Sequence, residues 1–85
     1  MNNKDITPFN QKGQQHGLWE WYYANGSVWY KGFFNNGKPH GYWELYFPND
    51  SIMYKGFYNN GKKVGYEETY YYWNNVLTNK KYYYI

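Results

Sequence analysis

Apolar and polar residues alternate along this chain in short runs, and the runs are broken at regular intervals by Asn, Gly, Asp and Ser. A period of two is the signature of strands with one buried side. It predicts strands over 18–23, 28–34, 42–47, 52–58, 66–72 and 76–84, with turns at 24–27, 35–38, 48–51, 59–62 and 73–75. Asn and Gly tolerate the positive φ that tight hairpins need. Loops this short join antiparallel neighbours, so the expected fold is all-β: a single elongated antiparallel meander of about six to seven strands. No segment carries a helical period.

The pattern also repeats. Gly17, Gly41 and Gly65 stand 24 residues apart, and the same shift carries Trp19 onto Trp43, Tyr22 onto Tyr46 and Tyr70, and Tyr30-Lys31-Gly32-Phe33 onto Tyr54-Lys55-Gly56-Phe57. Extended backwards, Phe9, Gly13 and His16 fall on Phe33, Gly37 and His40. A fixed period of this size marks a repeat architecture. The chain divides into a tail (1–8) and a repeat domain (9–85). The domain comprises a half repeat (9–16), two full repeats (17–40 and 41–64) and a degenerate one (65–85).

Register follows from pairing Tyr23 with Val28. Glu20 then faces Lys31 and Trp19 faces Gly32; one repeat later Glu44 faces Lys55 and Trp43 faces Gly56. A glycine beneath an indole leaves room for the ring against the backbone. At the corresponding pair of the last repeat stand Glu67 and Lys80, which reads as a charged cap against further strand addition. Alternation places Trp19, Trp21, Val28, Tyr30, Trp43, Leu45, Ile52 and Tyr54 on one face. Leu18, Glu20, Tyr22, Trp29, Lys31, Tyr42, Glu44, Tyr46, Lys55 and Phe57 occupy the other.

Composition sharpens this picture. Tyr, Trp and Phe supply 24 of 85 residues, whereas Ala, Val, Ile, Leu and Met together supply 12. That is too little aliphatic material for a helical bundle. Mean hydropathy of −1.09 and the lack of a long apolar run exclude a membrane-spanning helix. Without cysteine there is no disulfide, thiolate metal site or thiol nucleophile. The first residues lack the apolar stretch of a secretory signal, so the expected location is cytoplasmic. The net charge of +3 comes from nine lysines and no arginine, which makes nucleic acid an unexpected partner.

No catalytic, cofactor-binding or metal-binding residue is expected. Glu20, Glu44, Glu67 and Glu68 sit mid-strand beside lysines, and Ser27 and Ser51 lie in turns without a histidine nearby. His16 and His40 are one repeat apart, about 9–10 Å by strand spacing, too far to share an ion; each is expected to order the turn before its own glycine. Lys12, Lys38, Lys62 and Lys63 should line one edge, a candidate for weak contact with an anionic membrane. The aromatic faces carry the main functional expectation. Tyr22, Trp29, Phe33, Tyr42, Tyr46, Phe57, Tyr66 and Tyr70 are the candidate partner-binding residues. Trp19, Trp21, Tyr30, Trp43, Leu45 and Tyr54 are the candidate core or self-association face, with a homodimer expected because one sheet cannot cover itself.

The segment Tyr30-Lys31-Gly32-Phe33-Phe34-Asn35-Asn36-Gly37-Lys38-Pro39-His40-Gly41-Tyr42-Trp43 resembles a MORN repeat (membrane occupation and recognition nexus), with its Tyr-x-Gly and Gly-Lys-x-His-Gly elements. The second copy, 54–65, matches except that Val64 replaces the histidine. The Gly-x-Trp-x-x-Tyr element is similar to the bacterial variant in YwqK-type antitoxin proteins. The resemblance covers roughly residues 9 to 72 and implies stacked hairpins in an elongated sheet. It further implies a non-enzymatic module with a protein partner, in a role such as an antitoxin-like or viral antagonist. The alternatives are a peripheral binder of anionic lipids and a carbohydrate-binding repeat.

Overall fold

The computed structural model describes residues 5–70 and 77–83. Six strands run in chain order across one antiparallel sheet: β1 (Gly17–Tyr22), β2 (Val28–Asn35), β3 (Lys38–Tyr46), β4 (Ile52–Asn59), β5 (Lys62–Tyr70) and β6 (Leu77–Tyr83). This is the all-β meander that alternation predicts. Positions 71 and 72 of the fifth expected strand, the turn expected at 73–75, and positions 76 and 84 of the last expected strand lie outside the described residues. The sheet measures 42 × 38 × 10 Å, the thickness of one layer.

The hairpins are set by local chemistry. In the β2–β3 and β4–β5 turns, Asn36 and Asn60 (φ 49° and 48°) are followed by Gly37 and Gly61 (φ 89° and 92°). Two successive positive φ values make the two-residue turn whose twist matches the flanking strands. At the other edge, the Asn25 carboxamide accepts from the Ser27 N–H and Asn49 accepts from the Ser51 N–H. Successive repeats are stitched at both edges. Gly37 N–H donates to the Gln15 carbonyl and Gly61 N–H to the Pro39 carbonyl, each at 2.8 Å, while Tyr23 Oη donates to the Tyr46 carbonyl at 2.6 Å.

Most of the expected register holds. Glu20 pairs with Lys31, Trp19 with Gly32, Glu44 with Lys55 and Trp43 with Gly56. Two details differ. First, Tyr22, not Tyr23, pairs with Val28, and Tyr46 pairs with Ile52. Trp29 and Met53 are therefore extra residues in a bulge, and a bulge reverses the alternation beyond it. The register thus puts Val28 and Ile52 with Tyr22 and Tyr46, opposite to the face expected for them. Second, β6 is displaced by one residue from the repeat: Glu67 pairs with Lys81 and Glu68 with Lys80. The shift keeps a lysine opposite the glutamate that follows the Trp position, as in the two earlier repeats.

A second bulge explains the 24-residue glycine spacing. Between Gly32↔Trp43 and Phe33↔His40, β3 advances three residues while β2 advances one. Gly41 takes up this kink at φ 83°, with open space where its side chain would be, so conformation rather than packing demands glycine there.

The core lies on one face and is almost wholly aromatic. Trp19, Phe34 and Trp43 are its buried hydrophobic residues, with Trp21, Tyr30, Leu45 and Tyr58 packed around them. Phe34 meets both indoles edge-on, at 5.3 Å from Trp19 and 5.0 Å from Trp43. The indole that lies on Gly32 belongs to Trp43, on the next hairpin, and not to the expected Trp19. A Cβ on Gly32 would fall inside the Trp43 ring. Over Gly56 the equivalent indole is missing, since Glu67 stands in its place and the Tyr54 hydroxyl fills the space. Glu67 is 8% exposed, 3.2 Å from Lys63 Nζ, and accepts from Tyr83 Oη at 3.0 Å. Burial would raise its carboxyl, but Tyr83, Lys63 and the nearby Tyr54 hydroxyl together outweigh burial and hold it below the ordinary range.

Residues 5–8, assigned by sequence to a tail, lie along β1. Ile6 and Glu20 exchange two backbone hydrogen bonds of 2.9 Å, and the Pro8 carbonyl accepts from Trp19 Nε1 at 2.8 Å. The segment covers the β1 edge with paired backbone.

Gly32→Ala should force the Trp43 ring off the sheet. Overpacking at this site should cost roughly 1–3 kcal/mol, read as a lower urea midpoint with an unchanged slope, whereas Gly13→Ala should leave the Trp43 environment seen by fluorescence unaltered.

Candidate interaction face

The opposite, outer face carries a line of charged residues across mid-strand, one contributed by each strand. Reading across the register, Glu20 pairs with Lys31, Lys31 with Glu44, Glu44 with Lys55, Lys55 with Glu68 and Glu68 with Lys80. The result is an unbroken ladder of alternating sign over all six strands. Opposite charges across a strand pair contribute roughly 0.2–1 kcal/mol each.

Tyrosines two residues away on the same strand clasp these glutamates. Tyr42 and Tyr46 each donate to Glu44 at 2.9 Å, Tyr66 and Tyr70 donate to the two oxygens of Glu68, and Tyr22 donates to Glu20 at 2.6 Å. Strand period dictates the spacing, because residues i−2 and i+2 flank residue i on one face. In the first repeat the leading tyrosine is replaced by Leu18. Glu68 is also 3.2 Å from Lys55 Nζ. Hydrogen bonds from Tyr66 and Tyr70, with Lys55 beside them, outweigh desolvation and lower its carboxyl to about 2. Burial first, then the bond to Glu44, pushes the Tyr46 hydroxyl up to about 12. The bond to Glu68 does the same for Tyr66, also to about 12. Both stay protonated donors at neutral pH.

Beside the ladder, toward the Asn-Gly turns, runs a row of large apolar side chains: Leu18, Phe33, Tyr42, Phe57, Tyr66 and Tyr82. Leu18, Phe33, Tyr42 and Phe57 are 41–49% exposed and Tyr82 is 61% exposed. Neighbouring rings touch, Tyr42 with Phe57 at 5.2 Å and Tyr66 with Tyr82 at 4.8 Å between centroids. Two shallow clefts one repeat apart open between row and ladder. One, of ≈ 330 Å³, is lined by Leu18, Glu20, Lys31, Gly32, Tyr42 and Glu44. The other, of ≈ 220 Å³, is lined by Tyr42, Lys55, Gly56, Phe57, Tyr66 and Glu68.

The structure brings together seven of the eight expected partner-binding residues: Tyr22, Phe33, Tyr42, Tyr46, Phe57, Tyr66 and Tyr70. Trp29 does not join them. The bulge turns it to the inner face, where its ring meets Trp21 at 5.9 Å and Tyr30 at 5.3 Å. Leu18 and Tyr82 belong to the row but were not among the expected partner residues. Leu18 could have been found from its equivalence to Tyr42; Tyr82 could not, because β6 leaves the repeat register. Trp19, Trp21, Tyr30, Trp43, Leu45 and Tyr54 all lie on the packed inner face.

The lysine edge is divided. Lys38 and Lys62 stand at the Asn-Gly turns and Lys12 in the turn at 10–14, and the Lys38 stem lies beside Gly61. Lys63 instead turns inward to Glu67 and over the Tyr54 ring, 5.1 Å from its centroid. The histidines order a different turn from the one expected. Asn36 N–H donates to His16 Nδ1 at 3.2 Å and Asn60 N–H to His40 Nδ1 at 3.1 Å, so each holds the Asn-Gly turn of the following repeat. Among the described residues no three His, Asp or Glu side chains converge on a metal-sized site.

This repeat geometry agrees with a family model that matches the chain. The MORN repeat variant aligns with residues 15–36 and 39–62, more than half of the chain. The chain belongs to the MORN repeat family. MORN repeats are generally protein- or membrane-interaction modules. Comparison with curated proteins and with solved structures finds no match, and no homologue supports the narrower YwqK-type antitoxin resemblance. In MORN terms, the aligned copies span the two hairpins that carry the Gly32 and Gly56 floors, while the third lies beyond the match and contains Glu67 and the displaced β6.

The Glu68 clasp has a pH signature. Its folded pKa of about 2 lies below the ordinary 4.5, so its stabilisation is complete above pH 4.5 and lost as pH falls toward 2. Glu68→Gln should lower Tm at pH 7, and the difference from wild type should close between pH 4.5 and 2 in a thermal-melt series.

Proposed function

We propose that this MORN protein is a non-enzymatic module that binds a protein partner through the outer face of its sheet. The supporting observation is the row Leu18, Phe33, Tyr42, Phe57, Tyr66 and Tyr82, left uncovered among the described residues. Contiguous apolar patches of this kind mark interaction sites. Tyrosine suits such a surface because it offers a large rigid ring and a polar tip. The clasped glutamates are already held in place, so binding orders fewer side chains.

The two alternatives have less support. Anionic-lipid binding would use the lysine edge, but Lys63 is committed to Glu67 and the remaining lysines are few. A carbohydrate platform built on indoles has little to use among the described residues, since Trp29 is exposed at 40% but Trp19 and Trp43 are laid against the sheet with 5% and 8% exposure.

Affinity capture from extracts of the source cells tests the proposal, scoring every co-purifying chain, foreign or a second copy with a different tag. Phe33→Ser/Phe57→Ser should lose capture at least tenfold while keeping the near-ultraviolet circular dichroism of wild type. Lys38→Glu/Lys62→Glu should retain it, and neither wild type nor variant should sediment with vesicles containing phosphatidylserine. Capture that follows the lysines, or vesicle binding abolished by Lys38→Glu/Lys62→Glu, would replace this reading with the membrane one.

A further inference from the structure

The charge ladder has a property that a single copy does not use. From β1 to β6 its signs run minus, plus, minus, plus, minus, plus, so reversing the order inverts every sign. A surface with that antisymmetry is complementary to itself under one particular two-fold rotation. We infer that the partner of the outer face is a second copy of this chain, stacked face to face about a two-fold axis parallel to the strands and centred between β3 and β4. The inference rests on the reading of this face as a protein-binding surface.

The operation places β1 over β6 of the second copy, β2 over β5 and β3 over β4. Glu20 then opposes Lys80 of the second copy, Lys31 opposes Glu68 and Glu44 opposes Lys55, each contact occurring twice. The same rotation keeps position along the strands, so the apolar row falls on itself: Leu18 on Tyr82, Phe33 on Tyr66, Tyr42 on Phe57. Charges meet opposite charges and apolar rings meet apolar rings in one arrangement.

Competing arrangements fail on one count or the other. A two-fold along the ladder sets every glutamate on its own copy in the second chain and every lysine likewise. It also lays the apolar row on the Tyr22, Tyr46 and Tyr70 side. Sliding the dimer by one strand places like charges together, which costs binding free energy and so fixes register. Sliding by two restores opposition but leaves strands at both ends uncovered. The self-complementary interface is the isologous kind that closes a dimer and stops.

Size and shape permit the contact. The sheet is one layer 10 Å thick and 42 by 38 Å across. Such a face exceeds the roughly 800 Å² per partner that a stable interface buries. Sheets stack face to face at about 10 Å, a gap that lysine and glutamate side chains bridge from the two sides. Within one copy, Lys55–Glu68 is the one ladder pair in ion-pair contact among the described residues.

Light scattering on the eluting full-length protein provides the test. Wild type at tens of micromolar should have twice the 10.5 kDa chain mass and should shift toward monomer as NaCl rises from 0.05 to 1 M. Glu44→Lys alone and Lys55→Glu alone each set like charges opposite each other twice, and each should be monomeric, with association at least tenfold weaker. Mixed one to one, these two variants should recover the dimer, because both contacts become complementary. The double exchange Glu44→Lys/Lys55→Glu should also dimerise, because its contacts across the interface are complementary again although positions 31/44 and 55/68 then pair like charges within each sheet. Recovery of the dimer in the mixture, together with wild-type near-ultraviolet circular dichroism of each variant, answers for any folding defect in the single variants. A monomeric wild type at 100 µM, single variants as dimeric as wild type, or a mixture that stays monomeric would each overturn the inference. If wild type is monomeric while Phe33→Ser/Phe57→Ser still abolishes capture of a foreign protein, the outer face keeps its role and the second copy is not its partner.

Discussion

The seating of an indole on bare backbone is the contact on which the rest of this structure depends. A single-layer sheet has no helix or second sheet to pack against among the described residues, so its core has to come from side chains laid flat on its own strands. Trp43 over Gly32 shows how this is done. The glycine gives up a side chain so that the ring can reach the backbone, and Phe34, Tyr30 and Tyr58 close around the ring. The aromatic wealth of the chain and its poverty in aliphatic residues follow from this need, because flat rings cover a surface that branched side chains would leave grooved. Where the series ends, Glu67 replaces the indole and is held by Lys63 and Tyr83, so the last repeat closes the core with a paired charge.

Placing the core on one face frees the other. The outer residues have no packing duty beyond the cross-strand pairs, and they alternate in charge along one line and remain apolar along the next. The tyrosine clasps connect the two, since Tyr42 and Tyr66 belong to the apolar row and also bind the ladder glutamates. Stability and recognition are thereby assigned to opposite sides of the same strands, with strand alternation as the device that separates them.

Much of this was legible in the sequence. The 24-residue period fixed the number and order of the strands, and the Glu20–Lys31 and Glu44–Lys55 pairs followed from alternation and charge. Seven of the eight residues expected to meet a partner lie on the outer face. The failures trace to bulges and to one shift. A bulge changes the face of every residue beyond it, and nothing in the local pattern at Val28-Trp29-Tyr30 announces one, so alternation alone puts Trp29 on the wrong side. The purpose of Gly41 was likewise hidden, because a glycine that relieves packing and a glycine that permits positive φ are the same letter. The displaced β6 put Lys81 opposite Glu67, where the repeat places Lys80. Of the ladder's members only the sixth, Lys80, depends on that shifted register, since Glu68 follows from Glu44 by the 24-residue period.

Whether the two faces have separate duties can be measured by denaturant unfolding of Trp43→Ala and Phe57→Thr under identical conditions. Trp43→Ala should lose about 3–5 kcal/mol, the cost of emptying an aromatic core site, and Phe57→Thr should lose less than about 1 kcal/mol, as surface changes do. Equal losses would mean that the outer row is part of the core, and that this sheet has no face to spare for a partner.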